Sequence, residues 1–111
     1  MIDISRDDLR IISDIIKAHI PGHEIKVIGS RANGNAKQFS DLDLVIMSED
    51  HIPPLTMALL REAFTESDLT FKVDIIDWST VSKEFRETIG DQMQPLINSG
   101  NKSTLPALSG K

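Results

Sequence analysis

Five residues near the middle of this 111-residue chain have types and spacing that suggest chemistry: Gly29, Ser30, Asp41, Asp43 and, further on, Asp74. Gly29-Ser30 follows an apolar stretch (Ile25, Val27, Ile28), and Ser40-Asp41-Leu42-Asp43 opens another that runs to Met47. A glycine lets the backbone approach a ligand closely, and a helix starting just after it presents N–H groups, with the Ser30 hydroxyl, to a phosphate. Carboxylates at i and i+2 of a strand lie on one face, about 6.5–7 Å apart. From that spacing they can reach inward and share two magnesium ions held about 3.5–4 Å apart. A phosphate cradle beside paired carboxylates suits a metal-chelated nucleotide. Arg31 either adds charge to the phosphates or sits in solvent.

Asp74 lies within FKVDIIDW (Phe71 to Trp78), between Val73 and Ile75. An unpaired charge inside an apolar strand is costly, and a nearby Mg²⁺, a hard cation that prefers oxygen, removes the cost. A turn at Ser40-Asp41 accounts for Asp41 alone, but not for Asp43 and Asp74, because Asp is disfavoured inside strands. Lys72 shares a strand face with Asp74 and pairs with it, pairs with a phosphate, or is solvated. Asp77 falls on the opposite face, where a solvated strand end or a helix cap is expected. His19, His23 and His51 are not spaced as a metal set, and His19 suits a helix C-terminus.

Gly-Ser, ten residues, then Asp-x-Asp, with a third acid on a later strand, resembles the signature of the DNA polymerase β-like nucleotidyltransferase superfamily. From about Asp8 through Ile97 the chain is similar to its smallest branch, the minimal nucleotidyltransferases (MNT) encoded beside HEPN helical proteins. The resemblance implies transfer of a nucleoside monophosphate, AMP from ATP, to an acceptor hydroxyl with release of pyrophosphate. It implies that Gly29, Ser30 and Arg31 hold the nucleotide, and that Asp41, Asp43 and Asp74 are the catalytic, metal-binding acids for two Mg²⁺ ions. It also implies a HEPN-like partner in a toxin–antitoxin pair, silenced by AMP on a tyrosine, and hence a hetero-oligomer. Two rival readings stay open: a non-catalytic subunit that neutralises its partner by docking, and a transferase acting on a small molecule such as an aminoglycoside in a site completed by a partner.

The elements that must position these residues follow from periodicity. Ser5 to His19 reads as a helix capped by Ser5, with Leu9, Ile12, Ile15 and Ile16 on one face and Pro21-Gly22 ending it. Strands are expected at Glu24–Ile28, Leu42–Met47 and Leu69–Ile76. A helical turn is expected from Ser30 to Asn33 and a polar loop from Asn35 to Phe39. Pro53 and Pro54 open a second helix with Leu55, Leu59, Leu60 and Phe64 as its buried stripe. Ser79 or Ser82 caps a last helix through Phe85 and Ile89, and Met93 to Ile97 forms a strand or a helical end. The fold expected is α/β (α+β): a small twisted mixed sheet with helices packed mainly on one face and the acids on the open one.

One domain, residues 1–97, is expected, with 98–111 too poor in apolar surface to order itself. A net charge of −5 and 5% aromatics argue against direct nucleic-acid binding. The absence of cysteine excludes disulfides and thiolate zinc sites. No apolar run approaches the roughly 18 residues of a membrane span, and the acidic start MIDISRDD is no signal peptide. A cytoplasmic location is expected. A minimal domain should also leave apolar surface for a partner, with the first or last helix the expected place.

Overall fold

The computed structural model describes residues 4–29 and 41–97. Helix α1 runs from Arg6 to His19. Ser5 caps it, its hydroxyl accepting from the Asp8 N–H at 3.1 Å. His19 sits in the last turn, and its Nδ1 donates to the Ile15 carbonyl at 2.9 Å. The chain leaves the helix through Gly22, at a φ of 84° that favours glycine.

Among the described residues, four strands form one mixed sheet in the order β3-β2-β1-β4: β1 Glu24–Ile28, β2 Leu42–Met47, β3 Val73–Asp77 and β4 Gln94–Ile97. Strands β1 and β2 are antiparallel, as are β1 and β4, whereas β2 and β3 are parallel. A parallel pair needs a crossover, supplied by α2 (Pro54–Thr65). Strand β3 starts four residues later than the apolar pattern suggested, because the chain bends at 70 and 71 before the ladder begins. The segment after Met93 is a strand, at the sheet edge. There Pro95, which has no N–H, and a register shift between Ile25 and Lys26 are tolerated.

Helices α1 and α2 cover one face. Ile12 and Ile16 of α1, Met57, Leu60 and Phe64 of α2, and Ile25, Val27, Leu42, Leu44, Ile46 and Ile75 of the sheet form the core. Leu42, Leu44 and Ile46 are completely buried, as strand alternation requires of the face away from the acids. On α2 the buried stripe is Met57, Leu60 and Phe64, while Leu55 is 70% and Leu59 45% exposed. Two of the leucines expected inside are therefore outside. Met57, rather than Leu55 or Leu59, shares the helix side of Leu60 and Phe64 that meets the sheet. Among the described residues, the large apolar side chains left exposed lie on α2, not on the first or last helix.

Helix α3 (Lys83–Ile89) is capped by Ser82, whose hydroxyl accepts from the Phe85 N–H at 3.1 Å. Between β3 and α3, a short 3-10 turn at Trp78–Thr80 is capped by Asp77. Trp78 is held in place by Arg86, whose guanidinium lies 5.0 Å from the ring centroid and donates to the Trp78 carbonyl at 2.8 Å. The expected turn at Ser30 to Asn33, the loop at Asn35 to Phe39 and the tail 98–111 lie outside the described residues.

Asp77 was expected either in solvent or as a cap. It is a cap, but it is the last residue of β3 and only 7% exposed. Its carboxylate accepts from Ser48 Oγ, from the Ile52 N–H at 2.9 Å, and from the Ser79 N–H and hydroxyl at 3.0 and 2.8 Å. Burial alone would push this carboxyl up, but those four donors outweigh it and hold it below its ordinary value. The network ties the end of β2, the start of α2 and the exit of β3 together. Asp77→Ala should cost about 3 kcal/mol at neutral pH by stranding buried donors, measurable by chemical denaturation. Because the folded pKa is depressed, the wild type holds this advantage above the unfolded value of about 3.9 and loses it as pH falls through the folded pKa.

Candidate active site

Each acid owes its position to the ladder. Asp43 is the second residue of β2 and Asp74 the second of β3, and the parallel register pairs them directly, Asp43 with Asp74. Neighbouring strands lie about 4.8 Å apart, so both side chains rise from adjacent points on the same face of the sheet. Asp41 immediately precedes β2 and is exposed. Gly29 directly follows β1, where Ile28 pairs with Asp43.

Gly29 has a φ of 88°, and a Cβ built there would stand 3.1 Å from Asp43 Oδ2. The position therefore demands glycine twice over, for its backbone conformation and for the room it leaves the carboxylate. Gly29, Asp41, Asp43 and Asp74 are thus brought to one end of the β1–β2–β3 surface. Ser30 and Arg31 lie outside the described residues.

The electrostatics of Asp43 are those of an acid among acids. Partial burial, then the negative charge of Asp74, then that of Asp41, push its carboxyl above the ordinary value. Asp74 differs from its expected setting. It is not enclosed by apolar neighbours; its side chain is 46% exposed, and Lys72 Nζ lies 3.8 Å away with 71% exposure. The strand begins only one residue earlier, so the acid stands at the rim of the sheet. The buried aspartate of this strand is Asp77, on the core side and hydrogen-bonded to protein donors. The signal for it in the sequence was its odd spacing from Asp74, which places the two on opposite faces.

Among the described residues, no three Asp, Glu or His side chains form a closed metal cage. Magnesium does not require one: it keeps several waters and is commonly held by one or two carboxylates together with substrate phosphates. Mutual repulsion at Asp43 is the condition a divalent cation relieves, so the donor set fits Mg²⁺ shared with a polyphosphate. The same repulsion predicts that Asp43→Asn raises the melting temperature of the metal-free protein at neutral pH. With a folded pKa above the unfolded one, the wild type should gain stability as pH falls through it, and the variant should lack that gain. Gly29→Ala should destabilise by about 1–3 kcal/mol through its positive φ, read in the same melts.

Comparison with known proteins identifies the family of the chain. The family model described as Polymerase beta, Nucleotidyltransferase matches residues 10–101, which include all three acids. Over 88 residues the chain is 44% identical to "Probable protein adenylyltransferase MntA" of Haemophilus influenzae, covering 79% of this chain and 77% of that protein. Its fold is similar to that of a crystal structure of a toxin–antitoxin with AMP-PNP, with a TM-score of 0.68, 21% identity, and coverage of 84% of this chain and 75% of the other. A second similar structure contains a tri-AMPylated HEPN toxin from Shewanella oneidensis with its MNT antitoxin; the TM-score is 0.61 at 18% identity, covering 82% and 70%. The protein belongs to the polymerase beta nucleotidyltransferase family.

Proposed function

We propose that this protein transfers AMP from Mg²⁺-chelated ATP to a hydroxyl of a HEPN-type helical partner, and so serves as the antitoxin of a HEPN/MNT pair. The observation that carries this reading is the register of Asp43 against Asp74, with Gly29 held beside Asp43. The relative called a protein adenylyltransferase and the neighbour solved with an AMPylated HEPN toxin support AMP as the transferred group and a protein as acceptor.

In this reading the acceptor oxygen attacks the α-phosphorus, the bond from that phosphorus to the bridging oxygen breaks, and pyrophosphate departs with the electron pair. Asp41 and Asp43 hold the chelated nucleotide through its metal. Asp74, half-exposed at the rim, faces the acceptor hydroxyl and favours loss of its proton. Mg²⁺, when held there, would supply charge neutralisation for the transferring phosphate. Gly29, with Ser30 and Arg31, holds the triphosphate. The chain's own contribution is positioning, the usual logic of phosphoryl transfer. Among the described residues no helix is long and apolar enough to cross a membrane, and the absence of cysteine suits a reducing cytoplasm.

The test is incubation of the purified protein with its partner, Mg²⁺ and ATP labelled at the α-phosphate. Label should appear on the partner with release of pyrophosphate. Asp41→Ala, Asp43→Ala and Asp74→Ala should each lower the rate at least about a hundredfold, comparable to the loss of an electrostatic stabiliser in other enzymes. Ser30→Ala should cost less, because backbone donors remain. A stable complex that never turns over nucleotide would replace this reading with docking alone, and label on a small molecule would redirect it to another acceptor.

A further inference from the structure

Among the described residues, strand β3 is an outer strand of the sheet, with β2 on one side only. The Lys72 carbonyl accepts from the Leu42 N–H at 2.8 Å, so residues 72, 74 and 76 direct their peptide groups toward β2. By alternation, Val73 and Ile75 direct theirs outward. The opposite edge, β4, carries Pro95 and sits beside a register shift, two devices that blunt an edge. Strand β3 has no proline, and its register with β2 is regular.

Along this edge runs a groove between β3 and α2. It consists of two adjoining clefts of about 510 and 460 Å³ that share Arg61 and Ile75. Pro54, Met57, Arg61 and Phe64 recur on α2 at helical spacing and form one wall. Phe64, Phe71 and Ile75, each under 9% exposed, give it an apolar floor. At one end the groove is lined by Lys72 and Asp74, whose side chains alternation sets on the sheet face opposite Ile75. A strand added along this edge would therefore present alternate side chains to the groove and to the acid assigned to the acceptor. In a chain of net charge −5, the groove carries two cations: Lys72 at that end, 3.8 Å from Asp74, and Arg61 where the two clefts meet.

We propose that this groove is the acceptor subsite: an extended, acidic peptide segment of the partner adds as a strand to the outer edge of β3 and delivers its hydroxyl to Asp74. The inference rests on the AMP-transfer reading above. Main-chain hydrogen bonds to Val73 and Ile75 supply affinity that is indifferent to sequence, as in other strand additions. Arg61 and Lys72 select acidic neighbours of the hydroxyl, and the floor of Phe64, Phe71 and Ile75 takes an apolar side chain on the alternate position. Five residues of β3 offer about 16 Å of edge, enough for a short strand.

Two measurements test it. First, Arg61→Glu, at an exposed helical position, should raise the KM for the partner about tenfold while the Kd for Mg²⁺-ATP stays at the wild-type value, and Arg61→Lys should restore most of the loss. Second, with the wild-type protein, a glutamate–tyrosine copolymer should compete with the partner for labelling, whereas a lysine–tyrosine copolymer should not. An unchanged partner KM in a folded Arg61→Glu variant, or equal behaviour of the two copolymers, overturns the subsite and leaves AMP transfer standing. A wild-type protein that binds Mg²⁺-ATP yet labels no partner overturns AMP transfer, and the subsite falls with it.

Discussion

The parallel pairing of β2 with β3 is the constraint on which the rest depends. Nothing in the local sequence brings Asp43 and Asp74 together; they are 31 positions apart, and the ladder sets them side by side. A parallel ladder cannot close through a tight turn, so α2 must cross over and pack on the sheet. Its buried stripe of Met57, Leu60 and Phe64 meets Leu44, Ile46 and Ile75 in the core. Because the side-chain period along a strand is two, a slip of one residue would turn the acids into the core and the leucines into solvent. Full burial of Leu42, Leu44 and Ile46 therefore holds the register, and the register holds the site.

Two aspartates, Asp77 at the end of β3 and Asp43 near the start of β2, show how environment separates a satisfied carboxylate from an unsatisfied one. Asp77, deeply buried, has four protein donors and is stable as an anion. Asp43 has two acids for neighbours and is strained as one. A carboxylate satisfied by the protein has little left to offer a ligand, whereas an unsatisfied one creates demand for a cation. The fold thus keeps the anchored charge on the core side, where it pins the loops around α2. It leaves the repelling charges on the open face, where nucleotide-bound metal can neutralise them.

Helix α2 joins these two levels. One stripe completes the core, while Arg61 and Thr65, a turn apart, face the groove beside β3. A single crossover element therefore determines both how firmly the strand pair is held and what lies beside Asp74.

Much of this was legible in the residues. Alternation in Leu42–Met47 separated the acids from the leucines, the 3.6-residue period and Ser5 marked α1, and Gly-Ser with Asp-x-Asp pointed to nucleotide chemistry, because each is a local pattern whose geometry follows from backbone periodicity alone. The burial of particular side chains was not legible. Leu55 and Leu59 look like core and are exposed, Asp74 looks enclosed and stands at the rim, and Asp77, readable as a solvated strand end or a cap, is a buried cap. Each of those outcomes depends on which segment packs beside the residue, and hydrophobicity along the chain carries no record of that. The sequence by itself determined the chemistry and the faces of its strands; the tertiary structure alone decided the strand order, which charges are paired and which edge is left open, because these are set by contacts between residues far apart in the chain.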